Sequence, residues 1–121
     1  MAVPKIGESE WYVMKALWER SPLSGSDIIK AVSEETDWSQ STILTMVRRL
    51  VQKKAIGVIQ EKVMMYYPLV EENEVKRIET DMFLKRVYKG SAGMLVKGFI
   101  ESGGLSEKEL EELKKLLDGI K

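Results

Sequence analysis

Cysteine and histidine are both missing from these 121 residues. Their absence excludes a disulfide, a Cys/His zinc site, a thiol nucleophile and imidazole acid–base chemistry. Only three prolines interrupt the chain, so few positions forbid a helix. No apolar run approaches the roughly 18 residues of a membrane span. The opening MAVPKIGESEW also lacks the hydrophobic core of a signal peptide. A cytoplasmic protein without membrane insertion and without cofactor or metal is the expectation. Net charge is lacking too, with 19 Lys+Arg against 19 Asp+Glu. Such a balance argues against a protein that coats nucleic acid indiscriminately, yet it leaves room for a local basic stripe. The length suits one domain, or one with a small appendage.

What is present is organised around Trp38 to Lys54, WSQSTILTMVRRLVQKK. On a helix, Ile43, Val47 and Leu50 share one side, with Met46 and Val51 at its margins. Ser41, Thr42, Thr45, Arg48, Arg49 and Gln52 share the other. No carboxylate occurs from Ser39 to Gln60. From Trp38 to Val63 two arginines and three lysines face the single Glu61, a local charge of +4 in a neutral chain. Short hydroxyls, an amide and guanidiniums are the groups that hydrogen-bond phosphates and base edges. Ser39 is a good N-cap, and Trp38 with Ile43 has hydrophobic-staple spacing. A solvated basic face on an amphipathic helix is commonplace, so the surroundings have to carry the DNA reading.

They do so by their order. Glu8 to Arg20 reads as a first helix with Trp11, Met14, Leu17 and Trp18 at three- and four-residue steps, and with Gly7 and Glu10 at its start. The two tryptophans read as core rather than as a ligand-stacking pair. Ser21-Pro22 ends this helix. A second helix starts at Ser24, where Ser24 and Asp27 have capping-box spacing, buries Ile28, Ile29 and Val32, and runs to about Glu35. This helix and the next, two short helices with a tight connection of which the second carries the polar-basic face, form a helix-turn-helix pattern. Ile56 to Ile59 and Met64 to Pro68 then read as a hairpin, with Lys62 near its tip and Ile56, Val58 and Tyr66 facing inward. The paired methionines, with no Cys or His nearby, read as packing rather than soft-metal ligands.

Beyond residue 70 the chain is helical. Glu71 to Lys89 carries Val75, Ile78, Met82, Phe83 and Val87 on one side and closes at Gly90. Ser91 to Glu101 carries Met94, Leu95, Phe99 and Ile100. After Ser102-Gly103-Gly104, Leu105-Ser106 with Glu109 opens a last helix bearing Leu110, Leu113, Leu117 and Ile120. Single apolar stripes in about 50 residues make a poor independent core and a good half of a two-fold dimer. The alternative is folding back on the N-terminal part. The fold class is therefore mainly α with a small β-hairpin: a winged helix-turn-helix over 1–70 and a helical dimerisation segment over 71–121.

Across these same residues the chain resembles the penicillinase-repressor family, of the BlaI/MecI type, with the copper-responsive CopY repressors as relatives. The matching stretches are EWYVMKALWERSPLSGSDI, ETDWSQSTILTMVRRLVQKKAIG, YYPLV, FLKRVYKGS and LSEKELEELKKLL, nearly collinear from end to end. The resemblance implies a dimeric repressor on a palindromic operator in front of resistance or stress genes. It places DNA contacts on Ser39, Gln40, Ser41, Thr42, Thr45 and Arg49; charge and position add Arg48 and Lys62. Family members often carry Gly-Arg at the wing tip, where this chain has Lys62-Val63 and is about one residue shorter. In β-lactam-responsive members a membrane sensor protease triggers cleavage at an Asn-Phe bond in the dimerisation segment. The corresponding pair here is Gly98-Phe99, which keeps phenylalanine without asparagine; simple helix packing is the other reading of this pair. The cysteine-rich metal-sensing tail of the copper-responsive relatives is absent.

The leading expectation is thus a transcriptional repressor that binds double-stranded DNA as a homodimer, and not an enzyme. Carboxylate pairs such as Glu34/Glu35 and Glu71/Glu72 lie on polar faces with nothing to organise them into a site. The competing expectation is a protein–protein module that uses a winged helix without DNA, since a fold does not dictate a function.

Overall fold

In the computed structural model, which describes residues 3–119, the chain forms two units, Met1–Arg77 and Ile78–Lys121. The expected division after residue 70 falls just before a helix whose first turns still belong to the first unit. That unit contains α1 (Glu10–Glu19), β1 (Leu23–Ser24), α2 (Gly25–Ser33), α3 (Gln40–Gln52), β2 (Ile56–Gln60) and β3 (Met64–Pro68). The helix α4 (Glu72–Tyr88) runs across the division, and α5 (Ala92–Ser102) and α6 (Glu107–Asp118) follow. No helix among the described residues is long and apolar enough to cross a membrane.

The first unit is closed around one apolar cluster. Val13, Met14 and Leu17 from α1, Ile28 and Val32 from α2, and Ile43, Met46, Val47 and Leu50 from α3 are all buried in it. Trp11 and Trp18 sit at its margin, edge to face with ring centroids 5.5 Å apart, and the Trp18 indole donates to the Val70 carbonyl at 2.9 Å. Both tryptophans are thus packing residues, and one of them ties the chain leaving the hairpin to α1. The helix ends follow the capping signals closely. Ser24 Oγ accepts the Asp27 N–H at 3.1 Å, and α2 ends two residues before the expected Glu35. Ser106 and Glu109 close a full capping box on α6. The Ser106 main-chain N–H first, and its hydroxyl second, hold the Glu109 carboxyl below its ordinary pKa. This depressed value means that the cap holds at neutral pH and is lost as pH falls through it.

The hairpin is real but not alone. β2 and β3 pair antiparallel with Val58 opposite Tyr66, and β1 adds a two-residue third strand with Leu23 opposite Tyr66. A strand this short leaves no periodic trace in a sequence. Ile56 is buried, Tyr66 packs on the core and Val58 is half-buried, as the inward set requires. Met64 is exposed, so only Met65 of the methionine pair is partly covered. Gly57 lies opposite Tyr67, and a Cβ built there would overlap the outer end of the tyrosine side chain, at Cζ and the hydroxyl oxygen. With glycine here the Tyr67 ring lies directly over the strand, and any side chain at this point would have to displace that ring.

One buried ion pair was not legible in the pattern. Glu10 is buried, accepts the Gly7 N–H at 2.7 Å and pairs with Lys53 at the end of α3. Lys53 Nζ also donates to the Lys5 carbonyl at 3.0 Å. Glu10 Oε2 is buried with no hydrogen-bond partner among the described residues, and Lys53 is the cation that balances the carboxylate's charge. Removing one partner of a buried pair typically costs about 3–5 kcal/mol. The Lys53 side chain is 37% exposed, and water screens part of that. We expect Lys53→Met to lower unfolding free energy by about 2 kcal/mol in urea titration, and Glu10→Gln, which removes the charge but keeps an acceptor for Gly7, to cost less. Equal losses in the two variants would show that the uncompensated charge is not the source.

Candidate nucleic-acid interface

One side of α3 is a continuous polar surface of the first unit, and its exposure follows from what the other side does. Ile43, Val47 and Leu50 are at most 1% exposed and Met46 is 7% exposed. Fully burying such side chains contributes about 1.5–3 kcal/mol each, comparable in sum to the whole stability of a small domain. This helix cannot roll. Ser41, Thr42, Thr45, Arg48 and Arg49 are consequently held at the surface, and all are exposed.

The start of α3 is a hydroxyl cluster. Ser39 Oγ accepts the Thr42 N–H at 3.2 Å, donates to Thr42 Oγ1 at 2.9 Å and lies 3.1 Å from Ser41 Oγ. Trp38, just before it, packs edge to face on Tyr12 with centroids 5.1 Å apart, fixing the entry of the helix against α1. One turn on, Thr45 Oγ1 donates to the Ser41 carbonyl at 2.8 Å. Arg48 Nε reaches the Leu44 carbonyl at 3.5 Å, leaving the outer guanidinium nitrogens free to point away from the helix. Gln40 and Arg49 are exposed and make no side-chain hydrogen bond among the described residues.

The sequence-derived set is thus gathered in part. Ser39, Gln40, Ser41, Thr42, Thr45, Arg48 and Arg49 form one continuous exposed strip on α3 and the residue that caps it. Lys62 stands apart, exposed in the turn between β2 and β3, beside Glu61. Among the described residues no carboxylate lies within salt-bridge distance of Arg48, Arg49, Lys54 or Lys62. Lys53, by contrast, is taken by Glu10, so one of the five cations behind the local charge serves the fold instead. Lys54 was not singled out by periodicity. It is exposed with φ 65°, where the chain turns out of α3 toward the wing, and adds a free cation at the far end of the strip. Its membership of the basic run was the available signal.

The second unit carries the residues assigned to dimerisation. Met82, Phe83, Val87, Met94, Phe99 and Leu117 are exposed, while Ile78, Leu95, Leu110 and Leu113 are half-buried. Val75 is the exception: it is 2% exposed within the core cluster of the first unit, because the first turn of α4 folds onto that core. Ile120 lies outside the described residues. Gly98 and Phe99 are consecutive in the second half of α5.

Comparison with known proteins supplies the context. A family model described as Penicillinase repressor matches residues 6–119. The chain is 37% identical over 115 residues to the methicillin resistance regulatory protein MecI of Mammaliicoccus sciuri, covering 94% of each. It is 34% identical to the penicillinase repressor of Bacillus licheniformis, covering 96% of this chain and 91% of the relative. Among solved structures, the DNA binding domain of the repressor BlaI superposes with a TM-score of 0.55 at 35% identity, over 60% of this chain and 90% of that one. The monomeric form of Bacillus licheniformis BlaI bound to the blaP half-operator gives 0.54 at 35% identity, with the same coverage.

If Ser39 is what starts α3, Ser39→Ala should remove the hydrogen bond to the Thr42 N–H and cost about 1 kcal/mol of stability. Thermal unfolding measures this. No change in the midpoint would mean that Trp38 and the apolar stripe define the helix start without the cap.

Proposed function

The chain belongs to the penicillinase-repressor family, and from that premise we propose that it is a homodimeric transcriptional repressor that holds a palindromic operator through α3. The observation that carries this reading is the carboxylate-free exposed strip of α3, fixed in place by a fully buried opposite side. Each recognition helix enters a major groove, with half-sites about 34–36 Å apart or a multiple of that. Arg48, Arg49 and Lys54 supply salt-dependent phosphate contact, Lys62 reaches the backbone from the wing, and Gln40, Ser41, Thr42 and Thr45 face the bases. No catalytic step is part of this reading, and the protein acts in the cytoplasm, where the operator is.

The partner that completes the second unit is a second copy. From Ile78 onward only Leu84 is buried among the described residues, while eight large apolar side chains are exposed. Val96, Ile100, Leu110, Leu113 and Leu117 line an open apolar groove between α5 and α6. A unit of about 40 residues cannot form a stable core from such stripes alone, and a two-fold partner also matches a two-fold operator. Repression comes from promoter occupancy, and release comes from loss of the dimer. We assign the point of release to the Gly98–Phe99 bond, cleaved when a membrane sensor protease signals. Glycine weakens a helix by about 1 kcal/mol, and Phe99 is exposed, so local opening of α5 would present the bond.

Selection of genomic fragments with the purified chain, followed by titration at several salt concentrations, tests the reading. Absence of any salt-sensitive, sequence-preferring duplex binding would overturn it. Arg49→Ala should weaken binding and flatten the dependence of log affinity on log salt by about 1 if it neutralises one phosphate; an unchanged slope removes Arg49 from the phosphate contacts. Leu117→Glu should convert the dimer to monomer in sedimentation and lower full-operator affinity by orders of magnitude, since the linked second site is lost. A variant that still sediments as a dimer would place the interface elsewhere.

A further inference from the structure

The strip of α3 carries four hydroxyls at its start and first turns, and each hydroxyl has a single hydrogen to give. Ser39 gives its hydrogen to Thr42 Oγ1. The Ser39–Ser41 pair at 3.1 Å then requires Ser41 as donor, because Ser39 has none left. Thr42, which accepts from Ser39, keeps its own hydrogen for an outside acceptor. Thr45 differs from all three: its hydrogen is committed to the helix backbone, at the Ser41 carbonyl 2.8 Å away.

That commitment is built into the side chain. A β-branched residue in a helix is confined at χ1, and threonine divides between two rotamers because its Oγ1 can bond the carbonyls of the preceding turn. Thr45 is exposed on the strip, between Ser41 and Thr42 on one turn and Arg48 and Arg49 on the next. With Oγ1 turned back onto the helix, the branch of Cβ that the helix does not engage is the γ-methyl. The one base in duplex DNA that offers an apolar group in the major groove is thymine, through its 5-methyl, and a threonine methyl is one of its recurrent partners.

We propose that Thr45 selects thymine by methyl–methyl contact and does not read a base through its hydroxyl. The inference rests on α3 being the helix that enters the groove. It makes Thr45 an apolar reader in the middle of a polar strip, a role its residue type conceals. Thr42, with its hydrogen free, and the flanking arginines supply the polar contacts around it.

The test uses the full chain and a duplex recovered by selection from random-sequence DNA, synthesised with thymine or with deoxyuridine at each position in turn. Deoxyuridine removes only the 5-methyl and leaves pairing intact. For the wild type, one such replacement in each half-site should weaken binding roughly fourfold per half-site, the effect of about 0.8 kcal/mol for one buried methyl-sized group. Thr45→Val, which retains the methyl and loses the hydroxyl, should keep operator affinity close to that of the wild type and the same deoxyuridine penalty, because the lost hydroxyl serves only the Ser41 carbonyl of its own helix. Thr45→Ser, which retains the hydroxyl and loses the methyl, should bind the thymine duplex roughly fourfold more weakly per half-site and be indifferent to deoxyuridine. The proposal is overturned if wild-type binding ignores deoxyuridine at every position, a result that needs neither variant to fold. It is also overturned if Thr45→Val loses operator preference while Thr45→Ser keeps it. Salt-sensitive operator binding without a deoxyuridine penalty defeats this inference and leaves the repressor reading standing. No duplex binding at any salt defeats both.

Discussion

Burial of Ile43, Val47 and Leu50 between α1 and α2 is the contact from which the rest of the first unit takes its form. A helix with one apolar side can be pinned by that side alone, and pinning it fixes which residues remain outside. On α3 the outside is a row of hydroxyls, an amide and two guanidiniums. The same contact sets where the chain leaves α3, since Ala55 and Ile56 continue directly into the core and launch the wing from it. A surface that reads DNA needs this rigidity, because base contacts are lost by small displacements.

The charge distribution serves that surface by omission. A neutral chain keeps nonspecific attraction low, and the absence of acid from Ser39 to Gln60 leaves a local excess where it matters. The one cation withdrawn from that excess, Lys53, secures the end of α3 to the start of α1 through Glu10. The strip is thereby divided by role: its apolar back and Lys53 hold the helix, while its outer residues stay unpaired among the described residues.

The two units differ in how they solve burial. The first has a single cluster that draws in every element from Ile6 to Val75. The second exposes most of its large apolar side chains, and in the dimer we propose its stability and its function converge on the same requirement for a second copy. In that proposed dimer, whatever separates the copies would weaken the second unit and the operator complex together, which would make a physical off-switch.

Periodicity and capping chemistry determined much of this from the sequence alone. Ser24, Ser39 and Ser106 each cap the helix their position announced, and the apolar side of α3 is buried residue for residue. These features are local: they depend on spacing within about one turn, which a linear chain displays. The third strand at Leu23–Ser24, the Glu10–Lys53 pair and the loss of Val75 to the first core were decided by tertiary structure. Each joins residues far apart in the chain. A glutamate near a helix start and a lysine at a helix end look like ordinary surface charges until packing removes the water between them. The hydroxyls of α3 show the same division within one site. Their presence on one face follows from spacing, but which of them still has a hydrogen to give is decided only by the folded geometry.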